Sequence, residues 1–582
     1  MANFYADNPD IQFHLDHMPD LEAVVGFRED KFQDAARFDY APTSVADAVD
    51  NYRRALDLVG RIAGDVVAPA SAEIDTVGSH LDADAGCVRY APGIAKSLKA
   101  LGQADLMGFT LPRRFGGLNC PGIVYAIATE IVSRADASLM NIFGLQGIAE
   151  TINQFASEEQ KQAYLPRFSR GEVTGAMVLT EPDAGSDLQN VQLRAWQDAG
   201  GQWRLTGVKR FITNGCGEVL LVLARSEPDE AGGLGLSLFV AERSDRIRIR
   251  RTEQKMGIHG SPTCEMQFND APAELVGERR RGLVTYVMAL MNGARIGIAA
   301  QSLGIAEAAW RAARNYAATR VQFGRSIDRF PAVADLLAEM KLAVESGRAL
   351  LYEATLSADF EYGLEEAMAR AADDPEKRSA LNKEQKKYKR LAAFLTPMAK
   401  YWLSEMCNRV AYEAISVLGG SGYMKDYPLE QYYRDARITS VYEGTSQLQV
   451  VAAVRGVTSG TAEKRLAEFG AREPPRGFKG LAGRLRKLRA GLEAAVAYLK
   501  AEQAADYMDL WARPLVDTAT DLYLSYLWME MARHSAAKAP SARRFIRRAV
   551  LRAQESLKLI RSGDRSTLDH FDVLVGPAFA EE

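Results

Sequence analysis

Gln202-Trp-Arg-Leu-Thr-Gly-Val-Lys-Arg-Phe-Ile-Thr-Asn-Gly215 is the stretch on which the fold turns. It is a run of apolar and β-branched residues closed by a Thr-Asn-Gly turn, which predicts a strand. Similar runs flank it: GAMVLTEP (Gly175–Pro182), VLLVLARS (Val219–Ser226), LSLFVAER (Leu236–Arg243) and CEMQFND (Cys264–Asp270). Each is short and broken by Gly, Asp or Asn, so residues 171–282 predict a central β domain.

Outward from this block the period changes. VADAVDNYRRALDLVGRIAGDVVAPA, upstream, spaces its apolar residues three and four apart, and residues 45–170 predict a helical domain behind an extension at 1–44. Within it, LPRRFGGLNC reads as a loop, and Ser157 with Gln160 as the cap of a short helix. Downstream, residues 283–458 are again helical, interrupted by a polar, charged insertion after Leu364. A Pro/Gly stretch near Glu473–Gly480 predicts a linker, and residues 459–582 form an additional helical region. Helices, strands and helices in segregated blocks make an α+β chain, not an alternating βα one. No G-x-G-x-x-G follows a strand, which argues against a Rossmann dinucleotide site.

The 582 residues exceed one core, and 47% apolar with 25% charged residues is a globular composition. A net charge of −3 gives no reason to expect nucleic-acid binding. The basic blocks Arg476–Arg489 and Ala542–Arg552 read as solvated helix faces, with weak membrane-surface contact as the alternative. Five dispersed cysteines fit a reducing compartment, here the cytoplasm, and the six histidines show no metal-ligand spacing, so no metal is expected. The N-terminus lacks the apolar segment of a signal peptide, and no run of about 18 apolar residues predicts a membrane span.

Five short blocks could carry chemistry. Thr180-Glu-Pro-Asp-Ala-Gly-Ser-Asp187 follows a strand and can aim N–H groups and hydroxyls at a ring edge or phosphate; taken alone it reads first as a plain connecting loop. Phe211-Ile-Thr-Asn-Gly215 offers an aromatic wall beside the Thr213 hydroxyl. Arg320-Val-Gln-Phe-Gly324 ends a long helix with a guanidinium suited to a phosphate, or to a plain C-cap. Val417-Leu-Gly-Gly-Ser-Gly-Tyr423 allows close backbone approach. In Val441-Tyr-Glu-Gly-Thr-Ser-Gln447, Glu443 sits among apolar neighbours, where a carboxylate can serve as a base, or it is an exposed glutamate at a helix entry.

Taken in order, TEPDAGSD, FITNG, RVQFGRSI, LGGSGY and YEGTSQ resemble the acyl-CoA dehydrogenase family over about Val45–Arg455. The length, the insertion and the C-terminal region resemble a long bacterial branch that includes 3-(methylsulfanyl)propanoyl-CoA dehydrogenases. The resemblance implies an N-terminal helical domain, a central β-barrel-like domain, a C-terminal helical bundle and extra C-terminal helices. It implies FAD as cofactor, with Thr180 and Thr213 at the flavin ring, Ser186 near the cofactor phosphates and CoA, and Thr445 and Gln447 near the base. Arg320, Gln322, Phe323, Gly419 and Gly420 would reach the FAD of a neighbouring subunit, making the chain a homo-oligomer, with a dimer as the expected state. Arg295 and Gly444 would lie at the acyl-CoA substrate. Glu443 would take the α-proton while the β-hydride moves to flavin N5, giving the trans-2-enoyl-CoA. The Glu443 N–H and a ribityl hydroxyl would polarise the thioester carbonyl, and electron-transfer flavoprotein would accept the electrons.

Some relatives carry the base one residue before the arginine matched by Arg295; here that residue is Ala294, which leaves Glu443 as the filled base position. Ser416 and Pro331 stand where relatives often have Gln, Phe211 where Trp is commoner, and Asn292 where Asp is frequent. An acyl-CoA oxidase using O2 and a non-catalytic scaffold member are the alternatives.

Overall fold

The structure, a computed structural model, describes residues 2–18, 20–502 and 505–579. It divides into two compact units, Met1–Gln385 with Leu403–Thr445, and Lys386–Trp402 with Ser446–Glu582.

The first unit opens with helices α1 (Pro9–Asp16), α2 (Leu21–Glu29), α3 (Val45–Ile62) and α4 (Ser71–Val77), then a small hairpin, β1 (His80–Asp82) with β2 (Cys87–Arg89). Helices α5 (Pro92–Gln103), α6 (Gly122–Ala135), α7 (Ala137–Phe143), α8 (Gln146–Phe155) and α9 (Glu158–Ser169) complete the N-terminal helical part. Local chemistry sets their ends. Ser44 Oγ accepts the Asp47 N–H at 3.2 Å to start α3, whose Ala48, Tyr52, Leu56 and Val59 share the buried face. Ser157 and Gln160 form the expected reciprocal cap on α9.

Seven strands follow: β3 (Gly175–Val178), β4 (Arg194–Gln197), β5 (Trp203–Thr213), β6 (Val219–Arg225), β7 (Leu236–Glu242), β8 (Ile247–Thr252) and β9 (Thr263–Leu275). The pairings β6–β4, β4–β5, β5–β9, β9–β7 and β7–β6 close a ring, with β3 against β6 and β8 against β9. Period-two alternation in β6 explains the two cores. Leu220, Val222 and Ala224 face Ile212, Phe239, Met266 and Phe268 inside the barrel. Val219, Leu221 and Leu223 face outward onto Ile148, Ile152, Phe168, Val287 and Leu290 of the helical part. A strand buried on both faces reads as a continuous apolar run, as VLLVLA does.

The chain then becomes helical: α10 (Met288–Thr319), a hairpin of β10 (Val321–Gln322) with β11 (Arg325–Ser326), α11 (Pro331–Arg370), α12 (Pro375–Leu418) and α13 (Leu429–Ile438). The polar insertion is helical, supplying the end of α11 and the start of α12, which Asp374 caps through the Lys377 N–H at 3.0 Å. Together with its π-helical lead-in, α10 spans Gly282–Thr319 and is long and apolar enough to cross a membrane by length and composition, a property not expected from the sequence. Here it is a core helix, with Ile298 through Ala309 buried. At its centre the fully buried Arg348 of α11 joins Glu130 of α6, Glu307 of α10 and Asp10 of α1, and Tyr352 donates to Glu130 at 2.8 Å. This buried cluster ties together four helices, including one from the N-terminal extension.

The second unit holds the middle of α12 and helices α14 (Ser446–Thr458), α15 (Thr461–Ala471), α16 (Lys479–Ala501), α17 (Ala505–His534) and α18 (Ala539–Ile560). Residues 472–478 connect α15 to α16 inside it, and Lys479 and Gly480 of the expected linker already open α16. Of its basic residues, Arg552 pairs with the buried Asp521 at 2.6 Å, Arg489 with Glu493, and Arg543 lies over the Phe478 ring; Arg476, Lys479, Arg484, Arg486 and Lys487 are exposed.

Candidate active site

At the end of β3 the chain turns through Thr180–Asp187, and buried contacts hold the base of this turn. Glu181 accepts the Gln192 and Leu193 N–H groups, each at 2.8 Å, and stands 3.0 Å from the Lys209 ammonium. Lys209 donates to the Leu179 carbonyl at 2.6 Å, and complete burial lowers it to about 8 against the attraction of Glu181. Ala184 bonds back to Glu181, while Pro182, Asp183, Gly185, Ser186 and Asp187 remain exposed. The Lys209–Glu181 pair was not singled out from the sequence.

The neighbouring β5 carries the second block. Its register with β9 shifts between Lys209 and Ile212, and Phe211 there has φ +60° with half its surface exposed. The Arg210 guanidinium lies 4.6 Å from the Phe211 ring centre. The Arg210 N–H donates to the Thr180 carbonyl at 3.0 Å, so Thr180 and Thr213 belong to one corner of the barrel. Asn214, fully buried, fixes the turn: its Nδ2 donates to the Gly175 carbonyl at 2.9 Å and its Oδ1 accepts the Tyr90 hydroxyl at 2.5 Å. Among the described residues neither the Thr180 nor the Thr213 hydroxyl has a hydrogen bond, so both are available beside an exposed aromatic face.

Glu443 and Gly444 have φ values of +53° and +88°, two successive left-handed residues after α13. A non-glycine held there is strained backbone, which persists where the surroundings enforce it. They do so through Tyr442, whose hydroxyl donates to Gln301 of α10 and meets Asn141 of α7 at 3.1 Å. Asp435 of α13 accepts the Ile258 N–H, and burial raises that carboxyl to about 7. Arg434 of α13 reaches Asp75 at 2.6 Å, and Asp75 also meets His259 at 2.9 Å. The Asp75 carboxylate, outweighing partial burial, raises His259 to about 9. Thus α13, which delivers Glu443, is tied to α4 and to the β8–β9 connection.

Arg295 of α10 faces Glu443 electrostatically; burial pulls the guanidinium below its usual range and the Glu443 charge opposes that. Its Nη1 donates to Asn292 at 3.0 Å, but its buried Nε has no partner. A buried cationic donor with an unsatisfied N–H, and at the barrel corner two threonine hydroxyls without a hydrogen bond, fit a polar, anionic cofactor and substrate. Thr445 is half-buried next to Gly444, and Gln447 is exposed in the first turn of α14.

Arg320, Gln322 and Phe323 lie elsewhere. Arg320 caps α10 and is exposed; Phe323, at the tip of the β10–β11 hairpin with φ +50°, is 93% exposed. Gly419 and Gly420 end α12 with open space where a side chain would stand, and Gly419 has φ +61°. Tyr316, one turn before Arg320, donates to Ser421 at 3.3 Å and packs edge-on against Tyr427 at 5.7 Å, joining hairpin and glycine turn in one surface. Exposed Val321, Phe323, Tyr423 and Met424 make that surface apolar. Ser416 and Pro331 flank it, both exposed. Arg295 and Arg320 are about 25 residues apart on one helix, roughly 37 Å at 1.5 Å per residue. The fold therefore gathers Thr180 with Thr213, and Arg295 with Glu443, but holds Arg320, Gln322, Phe323, Gly419 and Gly420 far from Arg295.

Comparison with known proteins bears on this arrangement. Residues 50–172, 176–271 and 281–458 match the N-terminal, middle and C-terminal domains of acyl-CoA dehydrogenase, and residues 458–566 match the family described as acyl-CoA dehydrogenase C terminal. The chain is 32% identical to the 3-methylmercaptopropionyl-CoA dehydrogenase of Ruegeria pomeroyi, over 85% of each chain. It is 35% identical to an acyl-CoA dehydrogenase of Bacillus subtilis over 62% of its own length and 90% of that protein's. The solved acyl-CoA dehydrogenase from Bacillus anthracis complexed with FAD shares the fold, with a TM-score of 0.71 at 23% identity, over 91% of this chain and 92% of that one. From its domains in order and a relative matched along most of its length, the chain belongs to the acyl-CoA dehydrogenase family of FAD-binding oxidoreductases.

Proposed function

We propose that this protein dehydrogenates an acyl-CoA thioester between Cα and Cβ, giving the trans-2-enoyl-CoA, with Glu443 as the base. The observation that carries the reading is the strained, anchored Glu443–Gly444 pair opposite the desolvated Arg295. A base must be held in position more firmly than a surface glutamate is, and the Tyr442 anchor supplies that.

FAD, when bound, supplies the two-electron acceptor for the β-hydride. The chain's own residues do the rest. Glu443 Oε takes the α-proton, and its backbone N–H polarises the thioester carbonyl as charge develops there. Arg295 offsets negative charge near the base, Ser186 and Gly444 border the CoA thioester, and Phe211 walls off water. Thr180, Thr213, Thr445 and Gln447 hold the cofactor from one subunit; Arg320, Gln322, Phe323, Gly419 and Gly420 hold it from the other, in a homodimer. Electron-transfer flavoprotein collects the electrons in the cytoplasm.

The experiment is anaerobic bleaching of the flavin band across a panel of acyl-CoA thioesters, with Glu443→Gln as control. The variant is expected to keep FAD and lose bleaching by about 10²–10⁴-fold. Undiminished bleaching would remove Glu443 from the mechanism, and peroxide released in step with enoyl-CoA in air would make oxygen the acceptor.

A further inference from the structure

One half of the Asn141 side chain is committed and the other is not. Its Oδ1 accepts the Gln301 amide at 2.9 Å and lies 3.1 Å from the Tyr442 hydroxyl oxygen. Gln301 Nε2 also donates to the Ala137 carbonyl at 2.9 Å, while Gln301 Oε1 accepts the Tyr442 hydroxyl. These partners fix both amides. A backbone carbonyl only accepts, so the Gln301 atom facing Ala137 is nitrogen; the same NH2 faces Asn141, so the Asn141 atom there is oxygen. The Asn141 NH2 is thereby turned the opposite way, where nothing in the chain accepts from it, although the residue is only 5% exposed.

A buried amide donor without a partner is rare and costly. This one is carried by a helix buried along its whole length, from Ala137 to Phe143. Its location is the second observation. Tyr442 is the residue before the proposed base, and Gln301 lies less than two turns from Arg295 on α10. Met140 Cε also packs 3.5 Å from where a side chain on Gly297 would begin, two residues past Arg295. So α7 lies against the stretch of α10 that carries Arg295 and against the hydroxyl of Tyr442, the neighbour of the proposed base.

We propose that Asn141 is a specificity-determining residue, and that its free NH2 reads a hydrogen-bond acceptor in the acyl chain beyond Cβ: the substrate is an acyl-CoA with an ether, thioether or carbonyl group there, not a plain alkyl chain. This rests on the reading of Glu443 as the base, because that places Cα at Glu443 and sends the rest of the chain past Tyr442. A saturated chain leaves the donor unpaired; a chain atom with a lone pair satisfies it. Sites that hydrogen-bond a substrate discriminate against the analogue without the partner far more strongly than apolar pockets discriminate by size.

The test compares kcat/KM for 3-methoxypropanoyl-CoA with pentanoyl-CoA, and for 4-methoxybutanoyl-CoA with hexanoyl-CoA, in the holoenzyme and in Asn141→Leu. Each pair differs by one oxygen for one methylene. Leucine leaves Tyr442 its bond to Gln301 and Gln301 its bond to Ala137, so the surrounding network survives. Both members of a pair are read in one preparation, so lost folded protein cancels in the ratio, as does any intrinsic difference in substrate reactivity when the two enzymes are compared. For at least one pair, the ether-to-alkyl ratio is expected to fall about 10–100-fold in Asn141→Leu. A ratio unchanged in both pairs, with the flavin still bleached by acyl-CoA, overturns the role of Asn141 and leaves the dehydrogenase reading standing. No bleaching by any thioester overturns that reading and this one with it.

Discussion

The Lys209 ammonium and the Glu181 carboxylate stand 3.0 Å apart with almost no surface exposed on either side chain. Between them they hold the turn after β3 against β5, which gives Thr180 and Thr213 a common, rigid support. Removing one partner leaves the other charge buried and unpaired, and that is the costly case. Lys209→Met is expected to cost about 3–5 kcal/mol in urea unfolding, and the double change Lys209→Met with Glu181→Leu to recover part of it. A loss below about 1 kcal/mol for the single variant would show that the pair does not brace this corner.

The separation of Arg295 from Arg320 predicts complementation. Glu443→Gln and Arg320→Ala are each expected to inactivate, the second by releasing FAD. Unfolded together and refolded as an equimolar mixture, they should regain about a quarter of wild-type activity, because half the dimers are mixed and each has one intact site. Activity that stays at the level of the separate variants would mean that both residues serve a site within one chain.

His259 gives a pH signature. Its folded-state value is raised from 6.5 to about 9 by Asp75, so its contribution to stability is fully present below pH 6.5 and is lost as pH rises toward 9. The melting temperature of the wild type minus that of His259→Gln should therefore shrink across that window. A difference that is flat or grows with pH would contradict the His259–Asp75 contact.

Gly444 has φ +88°, in a region where an L side chain is strained. Gly444→Ala is expected to lower stability by about 1–2 kcal/mol and to slow flavin bleaching by more than that loss of folded protein accounts for, since the strain falls on the residue next to the proposed base. Unaltered bleaching in stable protein would show that this backbone geometry is not needed.

Much of this arrangement was legible in the sequence, and for definite reasons. Apolar spacing gave the helical blocks, and the runs between Gly175 and Asp270 gave a β domain, because both periods are local. The Lys209–Glu181 pair was within reach: Leu205 and Lys209 have the same parity along β5, and alternation turns both inward. A charge inside a small barrel is so unusual that the apolar pattern alone does not point to it. The Tyr442–Gln301–Asn141 network was out of reach, since its members are 141 to 301 positions apart in the chain. Only the packing of α7 on α10 brings them together. The helical nature of the insertion was missed because its charged surface hides the underlying continuity of α11 and α12.

As one continuous helix from Met288 to Thr319, α10 keeps Arg295 and the Arg320 hairpin a fixed distance apart. On the two-subunit reading, the catalytic constant then depends on mass action: dilution below the dimer's dissociation constant strips the cofactor from otherwise intact protein. Cellular abundance of the polypeptide would then regulate flux through the reaction, with no effector needed.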